Sequence, residues 1–294
     1  MIKILPSSPG FTIKMLSRTL LLISVLIALF GCQSRQSFPE RITLGVVSFG
    51  ESEKLEKNYG ELKTYLEDEL NSIVELEPTY NERQAISQIN DNAWEIVVAS
   101  PGLAAIAVSK GNYLPILPLE GGLNSRSVFI VRQDSPLKNL NQLNGKAVAL
   151  GQPGSATGYY LALYNLHGLT LSEVRLASTP KQALEWLADG EIAAAAMSLE
   201  QYNTYRAQVS QNGFRMLFQD QHHVPNGAIL VSEKLSQIEQ EALYKALSNA
   251  PPMIPASAGY VANGPIPDYK DLMEIIKQVT PITPNLQKKP APLY

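Results

Sequence analysis

Cysteine occurs once in this chain of 294 residues, at position 32, which rules out an internal disulfide and a cysteine-based metal site. Histidine is almost as scarce, with three in all. His222 and His223 are adjacent and would point to opposite sides of an extended backbone, which makes a poor metal pair. His167 precedes Gly168 and reads as a helix C-terminal residue that complements the dipole. Charge is sparse too: 17% of residues are Asp, Glu, Lys or Arg, and the formal net charge is −3. A mildly acidic chain offers no basic stripe to nucleic acid. There is no Gly-x-Ser-x-Gly elbow, no pair of carboxylates at matched turns, and no nucleophile with an evident base. These absences argue against an enzyme, a metal or cofactor site, and a nucleic-acid partner.

What is present is alternation. Residues 42–49 form an apolar strand, and Leu55, Tyr59, Leu62, Leu66 and Leu70 recur by threes and fours along one helix face. Strands follow at 73–77 and 95–99, with Ala85, Ile86 and Ile89 lining a short helix between them. Ser100-Pro101-Gly102 then turns into a helix, where Pro101 suits the first turn because its missing N–H is no loss. A second series has strands at 127–132, 146–150, 174–177, 193–197 and 214–218, with helices at 157–166, 181–188 and 199–209. A strand at 228–231 and helices at 237–247 and 269–279 complete the pattern. Such alternation predicts an α/β protein of two lobes, each a mostly parallel sheet flanked by helices. The lobes are drawn at residues 41–124 with 225–294, and at 125–224. The proline-bearing tail beyond Thr280 is expected to be an extended surface strap.

Residues 1–32 differ in character. Lys3, Lys14 and Arg18 precede a mostly apolar run over 20–30, followed by Gly31 and Cys32. These are the basic and apolar regions of an export signal, and the run is too short to span a bilayer comfortably. Leu29-Phe30-Gly31-Cys32 resembles a lipobox, so lipid attachment at Cys32 is expected, with residues 33–40 as a polar tether. The stretch before Lys14 is long for such a signal, and Met15 is an alternative start. Without residues 1–32 the net charge becomes −6, so any attraction of an anion has to be built locally.

The segment Lys146-Ala-Val-Ala-Leu-Gly-Gln-Pro-Gly-Ser-Ala-Thr-Gly158 carries the most chemistry. A strand runs into a Gly/Pro turn, and Ser155-Ala156-Thr157-Gly158 opens a helix. Unpaired N–H groups at a helix start bind anions without a cationic side chain, and Ser155 and Thr157 add hydroxyls. Either hydroxyl could equally serve as the helix N-cap, and the sequence leaves both roles open. No lysine follows the glycines, so this is not a nucleotide P-loop. Arg126, at a strand start, either grips a carboxylate or phosphate or is simply exposed.

Other segments fall in a telling order: Thr79-Tyr80, Glu95-Ile-Val-Val-Ala-Ser-Pro-Gly102, Ser125-Arg-Ser-Val-Phe-Ile-Val-Arg-Gln-Asp-Ser135, Leu140-Asn-Gln-Leu-Asn-Gly-Lys146, Gly190-Glu191 and Val224-Pro-Asn-Gly-Ala-Ile-Leu-Val231. With the 146–158 turn, they resemble the phosphate/phosphite/phosphonate-type substrate-binding proteins of ABC importers. The resemblance implies a type II periplasmic binding protein fold, with two crossovers between lobes and ligand in the cleft. It also implies an ABC permease as partner, a monomer, and a place on the periplasmic side of a bacterial membrane. The ligand contacts expected on this basis are Tyr80, Ser100, Arg126, Ser155, Ala156, Thr157, Gly158 and Ser198.

Several family features are replaced. Ser198 stands where phosphonate binders carry an acid that pairs with the ligand's proton, and Ser178-Thr179-Pro180 stand where a histidine is common. Ala156 replaces the middle hydroxyl of a Ser-Thr-Ser trio, and Leu103 and Ala104 occupy the region of a tyrosine. Capture of a small oxygen-rich anion is the expectation, but tight phosphonate binding is not. The alternative is a sensory module that delivers the same closure to a membrane receptor kinase.

Overall fold

The computed structural model describes residues 38–47, 52–121, 125–209 and 213–294. Cys32 and most of the tether lie outside them, as do the last two positions of the strand expected at 42–49. Among the described residues no helix is long and apolar enough to cross a membrane.

The first half opens with strand β1 (Arg41–Val47), helix α1 (Ser52–Leu70), strand β2 (Ile73–Thr79) and helix α2 (Glu82–Asn90). Strand β3 (Ile96–Ala99), helix α3 (Pro101–Lys110) and strand β4 (Tyr113–Pro118) follow. The chain then crosses to β5 (Ser127–Arg132), β6 (Ala147–Leu150), a π-helical turn (Ala156–Tyr160) and α4 (Leu161–Leu166). Next come β7 (Thr170–Leu171), β8 (Glu173–Leu176), α5 (Pro180–Ala188), β9 (Ala194–Ser198), α6 (Leu199–Val209) and β10 (Phe214–Gln219). It returns through β11 (Ala228–Ser232), α7 (Gln237–Ser248), α8 (Met253–Ala258) and α9 (Lys270–Val279). A 3-10 helix (Thr280–Gln287) and β12 (Ala291–Pro292) end it.

Two five-stranded sheets result, in the orders β2-β1-β3-β11-β4 and β10-β5-β9-β6-β8. In each, four strands run one way and one is reversed: β11 in the first sheet and β5 in the second. Each reversed strand is the one that enters from the other sheet, so the two crossovers and the two antiparallel insertions are a single feature. The α/β two-lobed fold expected from the alternation is therefore present. The all-buried runs of β3 and β11 suit central strands covered on both faces. Along α1, Leu62, Leu66 and Leu70 are buried against the first sheet, as their spacing demands.

The tail departs from its expected form. Pro281 and Pro284 sit in a 3-10 helix whose Ile282 and Leu286 are buried, and β12 pairs antiparallel with β7. Leu293 is fully buried and exchanges backbone hydrogen bonds with Gly168 and Leu169 at 2.8 and 2.9 Å. It is a packed element, not a surface strap. Composition misleads here because proline also suits 3-10 geometry, where few N–H groups are needed inside the turn. One apolar cluster joins α3, the turn at Ala156–Tyr160, α4, α9 and the tail, so the core continues from one lobe into the other.

Candidate functional site

Parallel α/β sheets present ligands at the carboxyl ends of their strands, where helix N-termini converge. Here the turn after β6 is closed by the Gly151 N–H donating to the Gly158 carbonyl at 2.8 Å. The Ser155 hydroxyl oxygen accepts the Gly158 N–H at 3.0 Å, so Ser155 is the N-cap. The Ser155 carbonyl accepts from both Tyr159 and Tyr160, which opens the first turn into a π geometry. Beneath it, the buried Ser127 hydroxyl donates to the Thr157 carbonyl at 2.7 Å and ties the turn to β5. Thr157 and Ala156 are buried, and the Thr157 hydroxyl enters none of the hydrogen bonds among the described residues. Tyr159 and Tyr160 meet edge to face with centroids 5.0 Å apart. Burial pushes both phenols up to about 12, with the Tyr159 hydroxyl eased by Arg83 and the Tyr160 hydroxyl by the Gly154 backbone.

From the other lobe, α3 meets this turn backbone to backbone. A Cβ on Gly102 would stand 2.1 Å from the Gly154 carbonyl oxygen and 2.8 Å from the Ala156 nitrogen. Gly154 is constrained in turn, with φ of 110° and room for no Cβ, which would lie 2.6 Å from that of Glu82. The start of α3 and the turn after β6 are thus in contact. Ser100 is the N-cap of α3, yet its side chain makes no capping bond and its buried oxygen has no partner.

Beside this contact lies a cavity of about 20 Å³, enough for a water-sized group. Ser155, Gly158, Thr179, Ala196 and Gln201 line it from the second lobe, and Glu82 is the one wall residue from the first. Glu82 is the first residue of α2 after the Asn81 cap and is 9% exposed. Burial raises its carboxyl to about 7, against a smaller lowering by its own backbone N–H. The sequence reading missed it. The signal was an acid directly behind a capping Asn at the end of a parallel strand, where side chains face the site.

The other candidates are distributed unevenly. Ser198 is buried, with its hydroxyl accepting the Gln201 N–H and the Gln201 side chain accepting the Ser198 N–H, both at 3.0 Å. This reciprocal pair starts α6, and its neighbours Met197 and Gln201 reach the cavity. Thr179 caps α5 by accepting the Gln182 N–H at 3.1 Å, and the 178–180 turn lines the wall. Arg126 donates to the carbonyls of Gln221 (2.5 Å) and His222 (3.1 Å), so it braces one crossover against the other. Tyr80 is 58% exposed and lies outside the cavity wall. His222 bonds Asp220 at 2.6 Å, and among the described residues no three ligands gather for a metal. A broader groove of about 500 Å³, lined by Arg132, Lys146 and Glu191, sits at the opposite ends of β6 and β9, away from these turns.

The family described as the periplasmic substrate-binding protein of phosphonate ABC transporters matches residues 44–283. No curated protein matches the chain. Among solved structures, a Xanthomonas citri protein bound to ATP is similar at 19% identity and a TM-score of 0.67, with 82% of this chain and 98% of that one covered. PhnD1 of Prochlorococcus marinus in complex with methylphosphonate gives 14% identity and a TM-score of 0.64, with the same coverages of 82% and 98%. The binding component of an ABC phosphonate transporter from Pseudomonas aeruginosa gives 14% and 0.63, with 85% and 90% covered. With more than two thirds of its length inside the family match, this chain belongs to the periplasmic substrate-binding proteins of the phosphonate ABC transporter family.

Proposed function

We propose that the protein captures a small oxyanion between its lobes and presents the closed form to an ABC permease, as a lipid-anchored monomer. One observation carries the reading: residues of both lobes wall a cavity whose second-lobe side sets neutral hydroxyl and amide groups among apolar ones and holds no cation. Ser155, Gly158 and Thr179 belong to helix starts, where N–H groups and hydroxyls favour negative charge without a cation. The lobes, divided at the crossovers near residues 124 and 225, rotate to close on the ligand and shed its water. Of the expected contacts, Ser155 and Gly158 line the cavity, Ala156 and Thr157 share their turn, and Ser100 begins the helix whose Gly102 meets that turn. The transporter family match favours uptake over delivery to a receptor kinase. Cys32 carries the lipid in this reading, and residues 33–40 let the body swing above the membrane.

A thermal-shift screen tests it. Phosphate, phosphite, methylphosphonate, sulfate and methanesulfonate are set against amino acids and small organic acids, because a ligand that binds only the folded state raises the melting temperature. Stabilisation by at least one oxyanion is expected. A response to amino acids alone would refute the anion reading.

A further inference from the structure

Glu82 is the unexplained group in the cavity. The residue is 9% exposed, it lines the wall, and among the described residues its carboxyl finds no partner but its own backbone N–H. Arg83, the next residue on α2, is exposed, and its charge registers at Tyr159. The turn at Ala156–Tyr160 brings two phenols, and the residues of α5 and α6 that reach the cavity are neutral. No cationic side chain shares the wall with it.

An anion held by the Ser155 hydroxyl would face this carboxyl across the cavity. Two negative charges that close, and out of water, cannot both persist; one oxygen must hold a proton. Adding a proton to a sulfonate or to a phosphonate monoanion makes a far stronger acid than a carboxyl, so the proton belongs on Glu82 rather than on the anion. Its O–H is then the donor that the first lobe brings to the wall, since Glu82 is the one residue of that lobe lining it. We infer that Glu82 binds the ligand in its protonated form, donating to an oxyanion oxygen, so that capture of one anion takes up one proton. This rests on the anion-binding reading above and adds the proton to it.

Calorimetry with methanesulfonate and methylphosphonate tests the idea between pH 6 and 8.5, in two buffers of different ionisation enthalpy. Methanesulfonate has no proton to titrate in this range, so any pH dependence is the protein's. With a carboxyl starting at about 7, its affinity should fall about 30-fold across the range, with close to one proton bound per anion at pH 8.5. Glu82→Gln keeps a donor and should bind with no pH dependence and no proton uptake. Persistence of the pH dependence in that variant, or loss of binding at every pH, overturns the inference. So does wild-type protein that binds methylphosphonate and refuses methanesulfonate, because Glu82 would then be accepting a ligand proton. Should Glu82→Gln fold poorly, the wild-type proton count decides alone. If no oxyanion binds wild type at any pH, the anion reading itself falls, and this inference with it.

Discussion

The Ser155 oxygen accepts the Gly158 N–H, whereas the Thr157 hydroxyl enters no hydrogen bond among the described residues. Removing each should therefore affect a different property. Ser155→Ala loses a cap and is expected to lower stability by about 1 kcal/mol in urea unfolding. Thr157→Val should leave stability nearly unchanged and weaken anion binding about tenfold, the loss of one hydrogen bond to a charged ligand. Glu82 gives a pH test of its own. Its folded carboxyl lies above the ordinary value of 4.5, so its contribution is favourable at low pH and is lost as pH rises from there through about 7. Glu82→Gln should thus match wild type near pH 4.5 and exceed it at pH 8, by at most about 3 kcal/mol. Equal unfolding midpoints at pH 8 would mean the carboxyl is not desolvated. The turn at Ala156–Tyr160 was legible because glycine, proline and hydroxyl residues follow an apolar strand. Glu82 was not, because its burial depends on Gly154, a residue 72 positions away that reaches it only across the lobes.

At the scale of elements, spacing placed most helices and strands to within a residue or two. The 3.6-residue stripe of α1 and the apolar runs of β3 and β11 are strong, local signals. The misses are short or proline-rich. The two-residue strands β7 and β12 have no period to read and exist because the tail lies alongside. Helix α8 contains a proline and spans six residues, too few to show a stripe. The tail's contribution can be measured. Leu293 is fully buried one residue before the exposed Tyr294, so Leu293→Ala should cost about 2–4 kcal/mol, while Tyr294→Ala should cost little. A loosely lying strap would make the two indistinguishable in a denaturant series.

For the whole molecule, the anchor and the closing motion can be tested separately. Cys32→Ala is expected to shift the protein from the membrane to the soluble fraction without altering ligand-induced stabilisation; unchanged fractionation would remove the lipid from the picture. Closure is tested at Gly102, whose Cβ would strike a backbone carbonyl rather than a side chain that can rotate away. Gly102→Ala should hold the lobes apart, so that small-angle scattering finds no contraction with an oxyanion that compacts wild type. If the lobes close as proposed, the same contact has a further consequence for the wild-type protein. Where two backbones touch, the jaw has a hard end stop, and its last few degrees are available only to a ligand small enough to fit beside that stop. Each larger ligand wedges the jaw at a wider setting, so ligand size is converted into an angle displayed on the outer surface. A membrane partner fitted to the fully shut angle could then refuse an oversized cargo without ever touching it.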